Sequence, residues 1–268
     1  MKLLSFPLSL ALLCLPALPA LAQDLPDPLI TAELIDGWTT DRGTHVAAIR
    51  LTMPAGWHTY WRSPGEAGIP PVFDWSGSQN LAGVAFHWPV PQVFDIGGVR
   101  TLGYENEVVL PIELSPKAAG SPLALAARID LGVCDEICVP ASVTVSGSLQ
   151  GKGPRDARIE NALADQPVPA GQAGVTGARC AAEPISDGLR LTTAVTAPPL
   201  GPDEFGVIEL ADRRVWVSQA SGARDGAALT LVSDLVPPEA RPFALDRSGI
   251  RITLFGGGRA IDIQGCTG

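Results

Sequence analysis

Residues 123–149, LALAARIDLGVCDEICVPASVTVSGSL, contain the pattern that decides the fold. Two runs rich in apolar and β-branched residues, 123–131 and 139–149, flank a short polar stretch, a pattern that predicts a β-hairpin. Cys134 and Cys138 lie at the neck of this hairpin, and Asp135, Glu136 and Ile137 separate them. The sequence therefore predicts two paired strands whose connecting loop brings two sulfur atoms together.

The same strand pattern extends along most of the chain. Short apolar runs alternate with turns, and the 25 Pro and 29 Gly residues supply dense punctuation between them, which is typical of all-β proteins. The number and spacing of the runs before residue 150 predict an immunoglobulin-like β-sandwich, and the later runs predict a second, smaller β-domain. The predicted strands are 29–35, 45–53, 56–61, 72–75, 84–89, 107–114, 123–131 and 139–149, followed by 188–196, 205–210, 214–219, 227–232, 249–255 and 259–264.

Changes in composition predict the domain boundaries. Residues 23–150 form the expected immunoglobulin-like domain, and residues 178–268 form the second β-domain. Residues 151–177 lie between them and are rich in Pro, Gly and Ala, which indicates a linker. Residues 155–165 within this linker are compatible with a short helix.

The first 22 residues have the features of a signal peptide. Lys2 precedes an apolar run at 3–15, and Ala20, Leu21 and Ala22 form an A-x-A cleavage site, so we expect export to the periplasm and a mature chain that begins at Gln23. Bulky Leu13 before Cys14 argues against lipoprotein processing, and Cys14 then leaves with the signal peptide. No later apolar run approaches the roughly 18 residues of a membrane helix, so no transmembrane segment is expected in the mature chain.

Composition and motifs exclude several function classes. The net charge of −9 argues against nucleic-acid binding, which needs a basic surface. The sequence contains no Gly-rich phosphate loop, Walker motif or dinucleotide fingerprint, so no cofactor is predicted. No G-x-S-x-G nucleophile elbow occurs either.

Four cysteines remain after the expected processing, and three pairings of them are possible. Cys180 and Cys266 bracket the predicted strands of the second domain, with Cys180 placed before the first of them. A bond between these two would close a long loop and stabilise the domain by about 4–5 kcal/mol in the chain-entropy model. We therefore predict a structural disulfide between Cys180 and Cys266.

A bond between Cys134 and Cys138 would contribute much less to stability, roughly 2 kcal/mol, because its loop is short. This favours a redox role for the pair, while an inert hairpin clip and a metal site stay open as alternatives. Asp135 and Glu136 would raise the pKa of a neighbouring thiol by disfavouring the thiolate, unless they are solvated loop residues. The sequence does not indicate which cysteine reacts first.

The three histidines, His45, His58 and His87, are interpreted as partly buried side chains with satisfied hydrogen bonds. A copper site built from the cysteine pair and one histidine is a minority interpretation. Met53 is the single methionine of the expected mature chain, which excludes a Met-rich copper site. An aromatic residue of the 57–61 run, or Tyr104, could shield the sulfurs.

Several motifs of uncommon residues follow one another along the first part of the chain: GWHTYWRSPGEAGIPP at 56–71, FDW at 73–75, WPxP at 88–91, GY at 103–104, VLP at 109–111 and ICVP at 137–140. In this order they resemble the N-terminal periplasmic domain of the DsbD/ScsB group of thiol:disulfide interchange proteins. The resemblance covers about residues 25–150, is strongest to the ScsB-like branch, which is linked with copper tolerance, and is weaker beyond residue 150.

The resemblance implies an immunoglobulin-like redox domain in which Cys134 and Cys138 are the catalytic pair. A thioredoxin-like or membrane electron-transfer protein would be the electron donor, and a periplasmic disulfide protein the acceptor. The sequence lacks the membrane and thioredoxin modules of full-length members, so we expect a separate donor. The cysteine spacing is also shorter than the five intervening residues of the best-known members, which leaves sulfur accessibility open. The alternative is a non-catalytic copper-tolerance or interaction protein with a structural hairpin disulfide.

Overall fold

The computed structural model describes residues 28–268 apart from Gly97 and Lys152. The predicted signal peptide, residues 1–22, lies outside the described residues and stays a prediction. The described residues form four β-sheets in which nearly all strand pairs are antiparallel. The predicted all-β class, an immunoglobulin-like sandwich followed by a smaller β-domain, is confirmed. Within the described part of the chain, no helix is long and apolar enough to cross a membrane.

The first domain consists of two packed sheets. Sheet A has the strand order β1-β2-β8-β5, and sheet B has the order β10-β9-β3-β7-β6, with β4 also paired to β9. The strands are β1 Thr31–Thr39, β2 His45–Thr52, β3 His58–Tyr60, β4 Val72–Asp74, β5 Leu81–Phe86, β6 Gln92–Ile96, β7 Val99–Glu105, β8 Glu107–Pro116, β9 Leu123–Cys134 and β10 Cys138–Leu149.

The predicted hairpin is confirmed, and its residues explain how it folds. In β9, Leu123, Leu125, Ala127, Ile129 and Leu131 are all buried, which is the period-two pattern of a strand with one face in the core. Strand β10 pairs with β9 along its full length, from Cys138 opposite Cys134 to Leu149 opposite Leu123. This long hairpin fixes the register of the two cysteines.

Strands β6 and β7 were missed by the sequence analysis. Gly98 and Gly103 interrupt the apolar pattern there, and Pro89 and Pro91 precede it. Tertiary pairing overrides these local signals, because β7 pairs with β3 on one side and with β6 on the other.

Residues 151–177, predicted as a linker with a possible short helix at 155–165, contain one α-helix and one short strand. An α-helix, α1 at Ala157–Ala164, begins at the N-cap Asp156, whose side chain accepts a hydrogen bond from the Arg158 backbone N–H at 2.8 Å. Ile159 of this helix is fully buried and packs on Ile35 and Val46 of sheet A. Strand β11, Val168–Pro169, then joins the second domain by pairing in parallel with β19.

The second domain also contains two sheets. Sheet C has the order β11-β19-β18-β14, and sheet D has the order β12-β13-β17-β15, with β16 also paired to β17. The strands are β12 Gly177–Ile185, β13 Gly188–Thr196, β14 Phe205–Leu210, β15 Trp216–Val217, β16 Ser221–Asp225, β17 Ala228–Val236, β18 Ile250–Gly256 and β19 Arg259–Gln264. Strand β12 was not predicted, and Cys180 lies within it rather than before the first strand of the domain.

The two domains share part of their cores. Phe255 and Ala260 of the second domain belong to the same buried cluster as the core of the first. The rings of Trp61 and Phe255 pack edge to face with centroids 5.5 Å apart. The Arg100 guanidinium lies over the Phe205 ring at 4.0 Å. The end of β3 is therefore in direct contact with the second domain.

Candidate redox site

Cys134 and Cys138 are joined by a disulfide bond at the closed end of the β9–β10 hairpin. They occupy directly opposed positions, and their Cα atoms are 4.1 Å apart. The Asp135 backbone N–H donates to the Ile137 carbonyl at 3.1 Å and closes the tight turn between them. The hairpin register, rather than a long loop, thus holds the two sulfurs together.

The two cysteines differ sharply in access to solvent. Cys134 is completely buried, whereas Cys138 is exposed. Despite the short spacing between the cysteines, the bond therefore joins one residue at the surface to one residue in the core.

Tyr60 is the polar side chain in contact with both sulfurs. Its hydroxyl oxygen lies 3.1 Å from Cys134 Sγ and 3.2 Å from Cys138 Sγ. Since a disulfide carries no hydrogen, the hydroxyl is the donor in both contacts. Burial raises the pKa of Tyr60, so this donor stays protonated at neutral pH.

Strand pairing explains why Tyr60 reaches the sulfurs. Strand β3 lies between β9 and β7, and His58 is paired directly with Cys134. Tyr60 follows two residues later and therefore points to the same face of the strand. The sequence left open that one of these aromatic residues, or Tyr104, shields the sulfurs, and the strand order identifies Tyr60 as an aromatic residue in contact with them.

His58 of β3 is a titratable side chain beside the site, because it is paired directly with Cys134 of β9. Its ring is stacked on Phe94 with centroids 4.4 Å apart and meets the Tyr60 ring edge to face at 5.6 Å. It is buried, and its Nε2 has no hydrogen-bond partner among the described residues. Burial lowers the pKa of His58, although the charges of Asp135 and Glu105 oppose that shift. The site therefore contains a neutral imidazole at neutral pH.

The acidic residues of the turn are solvated. Asp135 and Glu136 are both exposed, and no ion pair of the described residues includes either carboxylate. The charge of Asp135 acts on His58, where it raises the pKa of the imidazole against the lowering effect of burial.

The other two histidines lie away from the disulfide. His45 is buried and its Nε2 is 2.8 Å from the Asp36 carboxylate, as expected for a satisfied histidine. His87 contacts Gln166 through Nδ1 at 3.2 Å and lies 3.5 Å from the Glu113 carboxylate. Across the described residues, no group of three or more His, Cys, Asp and Glu side chains could hold a metal ion.

The second disulfide lies in a different environment. Cys180 and Cys266 are bonded across a sequence separation of 86 residues, with Cα atoms 5.8 Å apart. Cys180 is buried in the core of the second domain, and Cys266 packs against that core. The Cys180 N–H donates to the Thr267 carbonyl at 2.7 Å, and the Thr267 N–H donates to the Ala178 carbonyl at 3.0 Å, so Thr267 is held beside β12.

Comparison with known proteins agrees with the fold. Residues 31–149 match the family model described as "Thiol:disulfide interchange protein DsbD, N-terminal". No curated protein sequence matches the chain. The crystal structure of the N-terminal periplasmic domain of ScsB from Proteus mirabilis superimposes with a TM-score of 0.61 and 23% sequence identity. That match covers 89% of this chain and 92% of the other, so it includes both β-domains.

A second structural match is too weak to indicate a shared fold. Yersinia pseudotuberculosis InvD aligns over 91% of this chain and 59% of its own, at 11% identity and a TM-score of 0.19. The resemblance predicted from the sequence motifs is confirmed by the family model and by the ScsB fold.

Proposed function

Because residues 31–149 match the family model of the DsbD N-terminal domain, we propose that this protein carries out thiol–disulfide exchange in the periplasm through the Cys134–Cys138 pair. The predicted signal peptide supports export, and the ScsB relative is itself a periplasmic domain. Electrons would pass from a reduced thioredoxin-like or membrane protein to this pair, and then to a periplasmic disulfide protein.

One observation carries the proposal: the disulfide joins one exposed cysteine to one buried cysteine. Exchange proceeds by attack of a thiolate on one sulfur of a disulfide, with the other sulfur leaving. Exposed Cys138 is the sulfur that a partner can attack, and buried Cys134 is the leaving group. The pair thus has a defined polarity.

The exchange can be written with all atoms and electrons accounted for. The partner thiolate forms a bond to Cys138 Sγ, the Cys134–Cys138 bond breaks, and the electron pair leaves on Cys134 as a thiolate that takes a proton. The partner's second thiolate then attacks its own sulfur in the mixed disulfide and releases Cys138. This domain gains two electrons and two protons, and the partner is oxidised to a disulfide.

Tyr60 and His58 support this chemistry in different ways. The Tyr60 hydroxyl is already within hydrogen-bond distance of Cys134 Sγ, so it can donate to the thiolate that forms there. A neutral His58 places no positive charge beside the pair, and the exposed Asp135 and Glu136 carry negative charge. The electrostatics therefore do not favour a resting thiolate, which suits a carrier that reacts only with a docked partner.

Two measurements test the proposal. Equilibration of the protein with a glutathione or thioredoxin redox buffer should give a midpoint above about −300 mV, the value below which structural disulfides resist reduction. Cys134→Ser should trap a mixed disulfide with a periplasmic partner through exposed Cys138. The matched variant Cys138→Ser leaves only the buried sulfur and should trap much less.

A midpoint below about −300 mV, together with no trapped partner from either variant, would contradict the proposal. The remaining function would then be a non-catalytic interaction or copper-tolerance protein with a hairpin clip. Equal trapping by both variants would contradict the assignment of Cys138 as the attacked sulfur, while leaving the exchange function in place.

A further inference from the structure

A groove of about 700 Å³ opens on one side of the first domain, between strands β4 and β5. Strand β5 is the edge strand of sheet A, and β4 belongs to sheet B through its pairing with β9. The groove therefore lies between the two sheets of the sandwich on this side. Small-molecule sites have volumes of roughly 300–1,000 Å³, so the groove is large enough for an organic ligand.

Four aromatic side chains, here called the aromatic cluster, line the groove: Phe73, Trp75, Phe86 and Trp88. The Phe73 ring contacts the Phe86 ring with centroids 4.5 Å apart, and it lies nearly parallel to the Trp75 ring at 6.1 Å. The Phe86 and Trp88 centroids are 5.8 Å apart. All four residues are partly buried, so the cluster keeps part of its surface open to solvent. A concave surface of aromatic rings is typical of a ligand site, because such rings offer large apolar faces at a small cost in conformational entropy.

The aromatic cluster comes from motifs to which the exchange chemistry gives no role. Residues 73–75 form the FDW motif, and Trp88 begins the WPxP motif at 88–91. Neither Cys134, Cys138 nor Tyr60 lines the groove. The groove is therefore a second candidate site, distinct from the disulfide.

The charged residues that line the groove are all cations. They are Arg62, Lys117 and Arg213, and no Asp or Glu is among the described lining residues. Arg62 is paired with Glu209, which lies outside the lining. Lys117 and Arg213 are exposed, and no ion pair of the described residues includes either of them. Two cations beside the groove thus lack a carboxylate partner within the described part of the chain.

These two cations are placed at the groove by different parts of the fold. The Arg213 guanidinium donates to the Arg62 carbonyl at 2.7 Å, a contact that joins the second domain to the first. Lys117 follows β8, and its backbone N–H donates to the Asn80 carbonyl at 2.9 Å, next to the start of β5. Arg213 and Lys117 therefore approach the groove from separate domains.

The charge of the groove is opposite to that of the protein as a whole, which has a net charge of −9. Asp74 is the carboxylate nearest to the aromatic cluster in sequence, but the alternation of side chains along β4 places it on the opposite face from Phe73. Cations beside apolar rings favour an anionic ligand over a neutral or cationic one.

We propose that this groove binds a small aromatic anion, whose ring packs against the aromatic cluster and whose acidic group pairs with Arg213 or Lys117. The rings come from the first domain and Arg213 comes from the second, so the complete site needs both domains. Arg213 also lies outside residues 31–149, the part of the chain matched by the family model. The inference does not depend on the proposed exchange, because neither cysteine lines the groove.

The test compares three probes that share one naphthalene ring and differ in charge: naphthoate, naphthylmethanol and naphthylmethylammonium. Each probe is titrated into the full chain, and the indole N–H signals of the six Trp residues are followed by heteronuclear NMR, with Trp75→Phe and Trp88→Phe to assign them. Naphthoate should shift the Trp75 and Trp88 signals saturably, with a Kd of about 1 mM or lower. Naphthylmethanol should bind about 2- to 5-fold more weakly, because it cannot form the ion pair, and naphthylmethylammonium more weakly still.

Two variants remove the groups that the proposal requires. The double variant Arg213→Gln with Lys117→Gln should weaken binding of naphthoate by about 2- to 5-fold and leave naphthylmethanol unchanged, so the preference for the anion disappears. Trp75→Leu should weaken binding of all three probes by roughly 2- to 10-fold, because it removes a ring of the aromatic cluster.

Two matched variants act as controls. Arg214→Gln removes the neighbouring exposed cation, which pairs with Asp212 and does not line the groove. Trp38→Leu removes another partly buried Trp, whose ring lies beneath the Arg155 guanidinium and outside the groove. Both should bind naphthoate like the unmodified protein, and thermal unfolding should show that every variant compared is folded.

The proposal is overturned if naphthoate leaves the Trp75 and Trp88 signals unchanged, or if naphthylmethylammonium binds as tightly as naphthoate. Equal binding of naphthoate and naphthylmethanol would also overturn it, because the groove would then suit an uncharged apolar segment of another protein. A double variant that binds naphthoate as tightly as Arg214→Gln would exclude the two cations from the site. If Trp75→Leu does not fold, the three probes and the double variant decide.

Discussion

Replacing Tyr60 by Phe removes one hydroxyl group and leaves the rest of the ring in place. That hydroxyl lies 3.1 Å from Cys134 Sγ, the sulfur expected to leave as a thiolate during reduction. Hydrogen bonds to charged groups are stronger than those to neutral sulfur, so the hydroxyl stabilises the product side of the step more than the disulfide. We therefore expect Tyr60→Phe to slow reduction of the Cys134–Cys138 bond.

The size of the effect follows from the change in charge on Cys134. A hydrogen bond to a charged group contributes about 1.5–3 kcal/mol. Brønsted coefficients of about 0.4–0.5 for thiol exchange indicate that about half of this is present in the transition state, so the barrier rises by about 0.7–1.5 kcal/mol. Because about 1.36 kcal/mol corresponds to a factor of ten, reduction should slow about 3- to 13-fold.

The assay is the pseudo-first-order reduction of the full chain by dithiothreitol, with quenched alkylation as the readout. Tyr104→Phe is the matched control, because the Tyr104 hydroxyl is also buried but donates to the Pro89 carbonyl at 2.8 Å and not to sulfur. Thermal unfolding of both variants should show that the fold is retained. In the disulfide form, Tyr60→Phe removes only a weak hydrogen bond to neutral sulfur. The free energy of unfolding of this variant should therefore fall by no more than about 1 kcal/mol.

The reasoning is refuted if Tyr60→Phe and Tyr104→Phe reduce at the same rate. An acceleration by Tyr60→Phe would also refute it, because the hydroxyl would then act mainly as a steric shield of the sulfurs. A slower rate with an unchanged fold supports hydrogen bonding to the leaving thiolate.

Three further predictions concern stability. His58→Phe keeps the stack on Phe94 and removes a buried Nε2 without a partner among the described residues, so it should change the free energy of unfolding at pH 7 by about 0 to 2 kcal/mol in the stabilising direction. It should also remove a pH dependence: the folded-state pKa of His58 lies below its ordinary value of 6.5, so its contribution is complete above pH 6.5 and is lost as the pH falls towards the lowered pKa. Cys180→Ser should lower the free energy of unfolding by about 2–5 kcal/mol in a denaturant titration, without changing the reduction rate of the first pair. Gly132→Ala should lower it by about 1–3 kcal/mol, because the added methyl group overlaps Ile69.

Each of these has a clear contrary outcome. A His58 ring that titrates at or above pH 6.5 by NMR would contradict the lowered pKa. Unchanged stability of Cys180→Ser would mean that the Cys180–Cys266 bond does not stabilise the second domain. A fully stable Gly132→Ala would show that the Ile69 side chain moves aside freely.

The hairpin and its cysteines could be predicted because the signals that form them are local. The period-two burial of β9 is written in residues 123–131, and the register that places Cys138 opposite Cys134 follows from a short turn. Strands β6 and β12 were missed for the opposite reason. Glycines near β6 and the alanine-rich sequence of β12 weaken the local pattern, and pairing with distant strands stabilises both.

The remainder of the site depends on contacts between residues that are far apart in sequence. Tyr60 and Cys134 are 74 residues apart, and Arg62 and Glu209 are 147 residues apart. In the sequence, Arg62 is one basic residue of an aromatic run, and Glu209 is one acidic residue of a predicted strand. No spacing rule relates them, because the strand order and the domain contact determine their distance.

The two disulfides of this chain show why spacing alone did not settle their roles. A short loop suggested redox work for Cys134 and Cys138, but an inert clip would have the same spacing. What separates the pairs is their surroundings. Cys180 is buried in an apolar core, and Cys266 is partly exposed and packs against that core. Cys138 is exposed, and the Tyr60 hydroxyl that contacts it also contacts Cys134, the sulfur expected to leave as a thiolate.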